Sequence, residues 1–431
     1  MNSLIDVLVL GSGAREAAIV WLLEKSPGIR NIYVAPGNGW MKRLGAINIY
    51  IKATDIKNLI DFVKRHQISL TIVGPEEPLA MGIVDAFRNE GLRIFGPTLA
   101  ASKIEASKVL AKEFMKKYYI PTAPFEVFDN YEKALRHVGD RSYPLVIKAD
   151  GLALGKGVRP CKNLEEAKIA LQEIMVQKIH GQAGNMVLVE DFLTGPEISC
   201  HVLCGGEAWK TLIFTQDYKP IFDNDKGKNT GGMGAYGPLP WLTEEIIKKI
   251  QSTIIDRTLY GMIEKNIFFT GCLYPGLILT PDGPKVIEYN VRFGDPEWQV
   301  IARLLKSEFL GIINDCVDGN LHKTEIEWEP GHAVCVVATS GGYPGDYEKG
   351  KKISGIEEAE KIDGLQIFGA GVADLDSGDL ITSSGRVLSV TGNGLTLEEA
   401  RIKTYSGIDK ISFEGMYDRK DIAKQNPKRW L

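Results

Sequence analysis

The chain has 431 residues, 44% hydrophobic and 25% charged, and its 55 acidic against 51 basic side chains leave a formal charge of −4. A globular chain of about three domains follows from the usual scale of roughly 150 residues each, and the charge balance excludes the basic field that nucleic acid or membrane surfaces require. Six cysteines without a CxxC pair, six histidines without a metal-ligand spacing, and no apolar run long enough for a membrane span point to a reducing compartment, the cytoplasm, and small-molecule partners.

The first hundred residues alternate strands and helices. Residues 6–10 read as a buried parallel strand, 15–25 as a helix, 32–35 as a strand, 56–66 as a helix, and 70–73 and 92–95 as strands, so a doubly wound parallel sheet is expected. The first strand runs into Gly11-Ser-Gly13-Ala-Arg-Glu16, a glycine turn at a helix N-terminus where backbone N–H groups favour a phosphate. It is not a full GxGxxG, and the acidic residue that would hold a ribose is missing where the second strand ends in Ala35-Pro-Gly-Asn38, which leaves NAD binding as an alternative. Gly74-Pro75-Glu76-Glu-Pro78 and Gly96-Pro-Thr98 end further strands. Together such loops line a crevice beyond the strand ends, although each singly is equally a tight turn.

A second unit opens with a helix over 102–119 that carries Lys108 inside it and breaks at Ile120-Pro-Thr-Ala-Pro124. A strand then ends at Lys148, and the glycine-rich run Gly151-Leu-Ala-Leu-Gly155-Lys156-Gly157 follows. That run either folds over phosphates with Lys148 beneath or forms a flexible surface hairpin; without Ser or Thr after Lys156 it is not a Walker loop. Strands over 186–190 and 195–203 bring Glu190 and Glu197, which read as adenosine contacts or as ordinary edge carboxylates. Residues 216–238 hold too many glycines and charges for regular structure, and Phe222, Met233 and Tyr236 would anchor them as an ordered substrate loop. A helix over 243–265 and a strand pair around 271–279 come next.

The most informative stretch is Lys285-Val-Ile-Glu288-Tyr-Asn290-Val-Arg292-Phe-Gly-Asp295-Pro-Glu297. Read as a strand over 285–293, it projects Glu288, Asn290 and Arg292 from one face and turns Ile287, Tyr289 and Val291 away. Two oxygen ligands and a guanidinium on one surface suit Mg²⁺ carrying a polyphosphate, because magnesium shares its coordination with phosphate oxygens. Asp295 as N-cap and Pro296 at the first helical position would start the next helix without any ligand. The last hundred residues show short alternating runs at 333–338, 365–368 and 386–390 and one helix over 396–408, a small β-rich domain with no catalytic constellation.

These residues resemble the ATP-grasp superfamily. More narrowly, Gly74-Pro-Glu-x-Pro-Leu79, Lys148-Ala-Asp-Gly-Leu-Ala-x-Gly-Lys-Gly157, Asn229-Thr-Gly-Gly-Met-Gly-Ala-Tyr236, Asn290-x-Arg-Phe-Gly-Asp-Pro-Glu297 and Ser384-Gly-Arg-Val-Leu388 resemble the glycinamide ribonucleotide synthetase (phosphoribosylamine-glycine ligase) family. The resemblance spans nearly the whole chain. It implies a pre-ATP-grasp domain over 1–101, an ATP-grasp domain over 102–325 with a lid subdomain at about 121–190, and a C-terminal β-rich domain over 326–431. It implies ATP-dependent joining of glycine to 5-phosphoribosylamine through an acyl phosphate, in purine synthesis, by a monomer or weak dimer.

Carried over by position, the resemblance puts Glu288 and Asn290 on Mg (or Mn). ATP falls to Lys108, Lys148, Gly155, Lys156, Gly157, Glu190 and Glu197. The substrates fall to Gly13, Asn38, Pro75, Glu76, Asp217, Lys219, Arg292 and Asp295, with Arg292, Lys148, Asp217 and Lys219 taking part in the chemistry. Departures gather on the substrate side. Gly-Gly-Arg-Glu-His-Ala becomes Gly13-Ala14-Arg15-Glu16-Ala17-Ala18, and Pro-Gly-Asn-Ala-Gly-Thr becomes Pro36-Gly-Asn38-Gly-Trp40-Met41. Asp-His-Lys-Arg becomes Asp217-Tyr218-Lys219-Pro220, and Asp-Pro-Glu-Thr becomes Asp295-Pro-Glu-Trp298. A paralogous ligase for another amine or amino acid, or a non-catalytic nucleotide-binding regulator, are the alternatives these departures raise.

Overall fold

The computed structural model describes residues 4–152 and 157–424. Its N-terminal sheet is parallel, in the order Ile47–Asn48, Ile29–Pro36, Ile5–Gly11, Leu70–Val73, Ile94–Phe95. The chain moves outward on both sides of Ile5–Gly11, so the strand order reverses beside that strand and opens a crevice past its carboxyl end. Val7 to Leu10 are fully buried, as a central parallel strand covered on both faces requires.

The middle of the chain builds two sheets. One is antiparallel, in the order Phe125–Phe128, Val187–Asp191, Leu145–Ala149, Val158–Cys161, and it closes over a small core of its own around Ile147, Leu171, Ile174 and Val189. The other centres on the long strand Phe269–Thr280, flanked by Gly283–Asn290, Glu197–Ser199 and Val202–Gly206. This unit faces the first sheet across a cleft.

The C-terminal sheet runs Gln216–Asp217, Gly234–Gly237, His332–Thr339, Arg386–Gly394, Leu365–Gly369. Its first two strands come from the stretch expected to be irregular. Gly234 pairs with Val336 and Tyr236 with Val334, and this distant pairing orders a glycine-rich segment that has little strand preference of its own. Met233 and Tyr236 anchor it as expected, whereas Phe222 is half exposed and meets only the edge of the Tyr417 ring among the described aromatic residues.

Other expectations are corrected by local geometry. The helix over 102–119 is two helices, Leu99–Ala106 and Lys108–Lys117, broken at Ser107 (φ −132°, ψ 115°), so Lys108 opens the second helix instead of sitting inside one. Asp150 holds the break by accepting from Ser107 Oγ at 3.0 Å and Val109 N at 3.1 Å. Residues 195–203 form two strands, and the expected strand pair at 271–279 is a single strand. Asp295 is not an N-cap: Pro296 stands there, before Glu297–Leu304, and the Asp295 carboxylate goes to other partners. The pairing of Phe269–Thr280 with the strand carrying Glu288 shifts register between Gly276 and Leu277 and skips Ile287. Ile287 and Tyr289, both expected to face away, line the cleft, Val291 is buried as expected, and the strand ends at Asn290 instead of reaching 293.

Candidate active site

A cavity of about 420 Å³ lies where the three parts meet. Arg15 and Glu76 reach it from the N-terminal sheet, Lys108, Lys148, Glu190, Glu288, Asn290 and Arg292 from the middle, and Arg386 from the C-terminal sheet.

At one end stand three lysines. Lys112 and Lys148 each place Nζ 3.0 Å from the same Glu190 oxygen, and Lys112, Lys148 and Glu190 are buried while Lys108 is half-buried. Lys148 also donates to Ile287 O at 3.1 Å, and Lys108 donates to Gly151 O at 2.9 Å. Burial pulls the Lys108 ammonium below its ordinary value, and burial with the like charge of Lys148 brings Lys112 down to about 8 against the pull of Glu190. Glu190 is the one carboxylate that contacts two of these lysines among the described residues, and the ammonium groups facing the cavity suit a polyphosphate. The second oxygen of Glu190 is buried and has no hydrogen-bond partner.

Glu288 faces these lysines and makes no hydrogen bond or ion pair among the described residues. Burial works to raise its pKa, but Lys219, Lys108, Lys148 and Arg292 together outweigh burial and hold the carboxyl below its usual value. Asn290 accepts from Arg292 Nη2 at 3.0 Å and donates to Tyr274 O at 3.4 Å. No group of three or more His, Cys, Asp or Glu suited to a metal occurs among the described residues. One free carboxylate and one amide oxygen therefore form a hard, incomplete donor set, which fits a magnesium ion that completes its shell with phosphate and water.

Arg292 is held on several sides. Its Nε lies 3.3 Å from Glu76 and its Nη2 3.5 Å from Glu105, and Nη1 donates to Phe293 O at 3.2 Å. Burial opposes its charge, but Glu105 and Glu76 keep it protonated. Lys219 bridges Glu197 at 3.2 Å and Asp217 at 3.9 Å. Burial raises Asp217 to about 7 in spite of Lys219, with Glu297 and Glu197 adding to the rise. The Lys219 ammonium is held charged because Asp217 and Glu197 outweigh its own burial. Behind this wall, Tyr274 donates to Glu297 at 2.5 Å, and His201 Nε2 accepts from Gly294 N at 3.0 Å. Burial lowers His201 to about 4, so the ring is neutral, as an accepting nitrogen must be.

The expected residues divide. Lys108, Lys148, Gly157, Glu190, Glu197, Asp217, Lys219, Glu76, Glu288, Asn290, Arg292 and Asp295 all line the one cavity. Gly155 and Lys156 lie outside the described residues. Gly13, Asn38 and Pro75 are not on the cavity wall. Gly13 N donates to Glu16 at 2.6 Å, so the turn expected to take a phosphate already holds an internal carboxylate. Asn38 caps the next helix through Met41 N and donates to Ser12 O, Gly369 O and Ala370 O, which fully occupies its amide. Pro75 precedes the helix Glu76–Ala80.

Several lining residues were missed. Lys112 follows Lys108 by one helical turn, a spacing that puts both on one face and could have revealed it. Glu105 and Tyr274 carry no comparable local signal; Arg386 stands in the Ser384–Leu388 motif but was not expected at the site, and it is the side chain that the C-terminal domain adds to the cavity wall. The altered positions Ala14, Ala17, Gly39, Trp40, Met41, Tyr218, Pro220 and Trp298 are all absent from the cavity wall. Ala14 and Ala17 are core residues, Trp40 packs on Gly369, and Trp298 stacks on Phe293 at 3.9 Å.

Three family profiles match in succession: Phosphoribosylglycinamide synthetase, N domain, over 5–105; its ATP-grasp (A) domain over 106–298; and its C domain over 333–425. The phosphoribosylamine-glycine ligase of Caldanaerobacter subterraneus subsp. tengcongensis is 45% identical over 418 residues, covering 97% of this chain and 99% of the relative. That of Clostridium acetobutylicum is 44% identical over 419 residues, again 97% and 99%. The crystal structure of phosphoribosylamine-glycine ligase from Thermotoga maritima superposes with a TM-score of 0.85 at 38% identity, covering 97% of this chain and all of the other.

Proposed function

The chain belongs to the phosphoribosylglycinamide synthetase family, and from that premise we propose that its cavity joins glycine to 5-phosphoribosylamine with ATP, giving glycinamide ribonucleotide, ADP and phosphate. The observation that carries the reading is the pairing of unpartnered Glu288 with Asn290 beside Lys108, Lys112 and Lys148, while every altered position lies off the cavity wall. Changed substrate preference would need changed wall residues; the alterations are in packing.

A carboxylate is a poor electrophile, so its oxygen first attacks the γ-phosphorus of ATP and ADP leaves with the bridging oxygen. The amine nitrogen then attacks the acyl carbon, the C–N bond forms, and the bond to phosphate breaks. Phosphoryl transfer needs position and charge neutralisation above all. Lys108 and Lys148 hold the phosphates, Gly157 lies beside them, and Glu190, with its unpartnered oxygen, and Glu197 take the adenosine end. Lys219 and Arg292 hold the glycine carboxylate and the oxyanion that develops from it. Asp217, poised near neutrality, accepts the proton that the amine gives up. Glu288 and Asn290 would hold Mg²⁺, which when bound supplies charge neutralisation to the phosphates.

We expect the chain to work as a monomer or weak dimer on small-molecule substrates. The cytoplasm is the expected site of the reaction, since its substrates are small metabolites of purine synthesis. Among the described residues no helix is long and apolar enough to cross a membrane. The test is ADP release by the purified chain with ATP and Mg²⁺, with phosphoribosylamine made in situ and product masses read by mass spectrometry. ADP release that needs both glycine and the amine supports the assignment. ATP binding without turnover on a panel of amines and amino acids would reduce the chain to a nucleotide-binding regulator.

A further inference from the structure

Arg386 begins the strand Arg386–Gly394 of the C-terminal sheet, yet its guanidinium reaches the cavity. Nη1 donates to Gly231 O at 2.6 Å and to Asp295 O at 2.8 Å, and Nη2 donates to the Asp295 carboxylate at 3.1 Å. The other Asp295 oxygen accepts from Gln299 at 2.8 Å, so this carboxylate is spent inside the protein. One side chain thus ties together the C-terminal sheet, the turn at 231–232 and the turn at 295–296.

The joint has no slack. A Cβ on Gly231 would stand 3.0 Å from the Arg386 Cζ, and one on Gly232 would stand 2.4 Å from Pro296 Cδ. Gly232 also sits at φ +113°, a conformation that side chains strain to adopt. The Asp295 carboxylate in turn lies 3.6 Å from the place of a Gly13 Cβ, at the carboxyl end of Ile5–Gly11 where the strand order reverses. Ligands of open α/β sheets lie past such ends. Arg386 has no bond to the three lysines at the other end of the cavity among the described residues; its hydrogen bonds go to the substrate-side turns.

We propose that Arg386 is a positioning residue for the amine substrate, holding the wall at 229–231 and Asp295 against the end of the N-terminal sheet where an aminosugar phosphate docks. The inference rests on the ligase reading above and deepens it: the C-terminal domain builds the amine end of the site. Bidentate contact is what lysine cannot reproduce, so Arg386→Lys keeps the charge and loses the tie.

The test is steady-state kinetics of R386K with each of the three substrates varied in turn. We expect kcat/KM for phosphoribosylamine to fall at least about tenfold, with KM for ATP and for glycine within about twofold of wild type. The thermal shift produced by MgATP should be unchanged. Asp295→Asn, which removes the other half of the tie, should repeat the split, and millimolar methylguanidinium should restore part of the amine efficiency of Arg386→Ala. Equal losses for all three substrates would mean a general structural role and overturn the inference, as would amine kinetics within twofold of wild type. A wild-type chain that releases no ADP overturns the ligase reading and this inference with it; turnover by wild type beside an unaffected R386K overturns the inference alone.

Discussion

Replacing Glu190 by glutamine keeps the side chain's shape and removes the one negative charge beneath two buried ammonium groups. Lys112 and Lys148 both contact that carboxylate at 3.0 Å, with side-chain exposures of 2% and 5% against 4% for Glu190. Removing one partner of a buried pair costs about 3–5 kcal/mol, because the charge left behind is poorly solvated. The lower end applies here. Lys112 is already down to about 8, and once its counter-charge is gone it sheds its proton near neutrality, which limits the loss to about 1.4 kcal/mol for each further unit. We expect E190Q to lose about 3 kcal/mol at pH 7.

The pH dependence gives a second check. A lysine with a lowered folded pKa binds fewer protons folded than unfolded, so stability rises with pH from the folded value toward the ordinary 10.5. In E190Q that window opens at lower pH than in wild type, so the deficit should narrow between pH 7 and pH 9. Urea unfolding followed by circular dichroism at both pH values measures it. A deficit under about 1 kcal/mol at pH 7, the scale of an exposed pair, or one that stays constant to pH 9, would refute the reasoning.

Glu288→Gln should cut ADP production more than about 100-fold, beyond the cost of losing an outer-shell partner of a metal, with an unchanged circular dichroism spectrum; undiminished ADP release would remove Glu288 from the metal site. Burial holds Asp217 up to about 7, so it can accept a proton only above that pH. The amine-dependent kcat/KM should climb about tenfold per pH unit below 7, and Asp217→Asn should abolish that limb; a wild-type profile flat from pH 6 to 8 speaks against the role. Trp298→Ala removes a fully buried ring stacked 3.9 Å from Phe293, one residue from Arg292, and should cost about 3–5 kcal/mol in chemical unfolding, with a loss under 1 kcal/mol contradicting its packing role.

The N-terminal sheet was legible because Val7 to Leu10 and Leu70 to Val73 are unbroken apolar runs, the pattern a strand covered on both faces must have. Helix Ile56–His66 has the residues expected from its periodicity. Glu288 and Asn290 were legible because a strand repeats every two residues, whereas Arg292 follows the end of the strand at Asn290 and reaches the same wall from the bend beyond it. What stayed hidden depends on distant partners. Gly234–Gly237 becomes a strand only by pairing with His332–Thr339 nearly a hundred residues on, and no local pattern announces that. Arg386 stands in the motif Ser384–Leu388, but its role at the cavity appears only once Gly231 and Asp295 are brought to it. The glycine turn at Gly11–Gly13 misled for the opposite reason. Its amide does seek an anion, and Glu16, three residues away, supplies one.

Oxygen transfer from glycine tests the central claim most directly. Glycine labelled with ¹⁸O in its carboxylate, turned over with ATP, Mg²⁺ and phosphoribosylamine, should deliver one labelled oxygen to the inorganic phosphate and leave the other in the amide of the product, read by mass spectrometry. Phosphate free of label, with ADP still formed, would mean that the glycine carboxylate is never phosphorylated at this site.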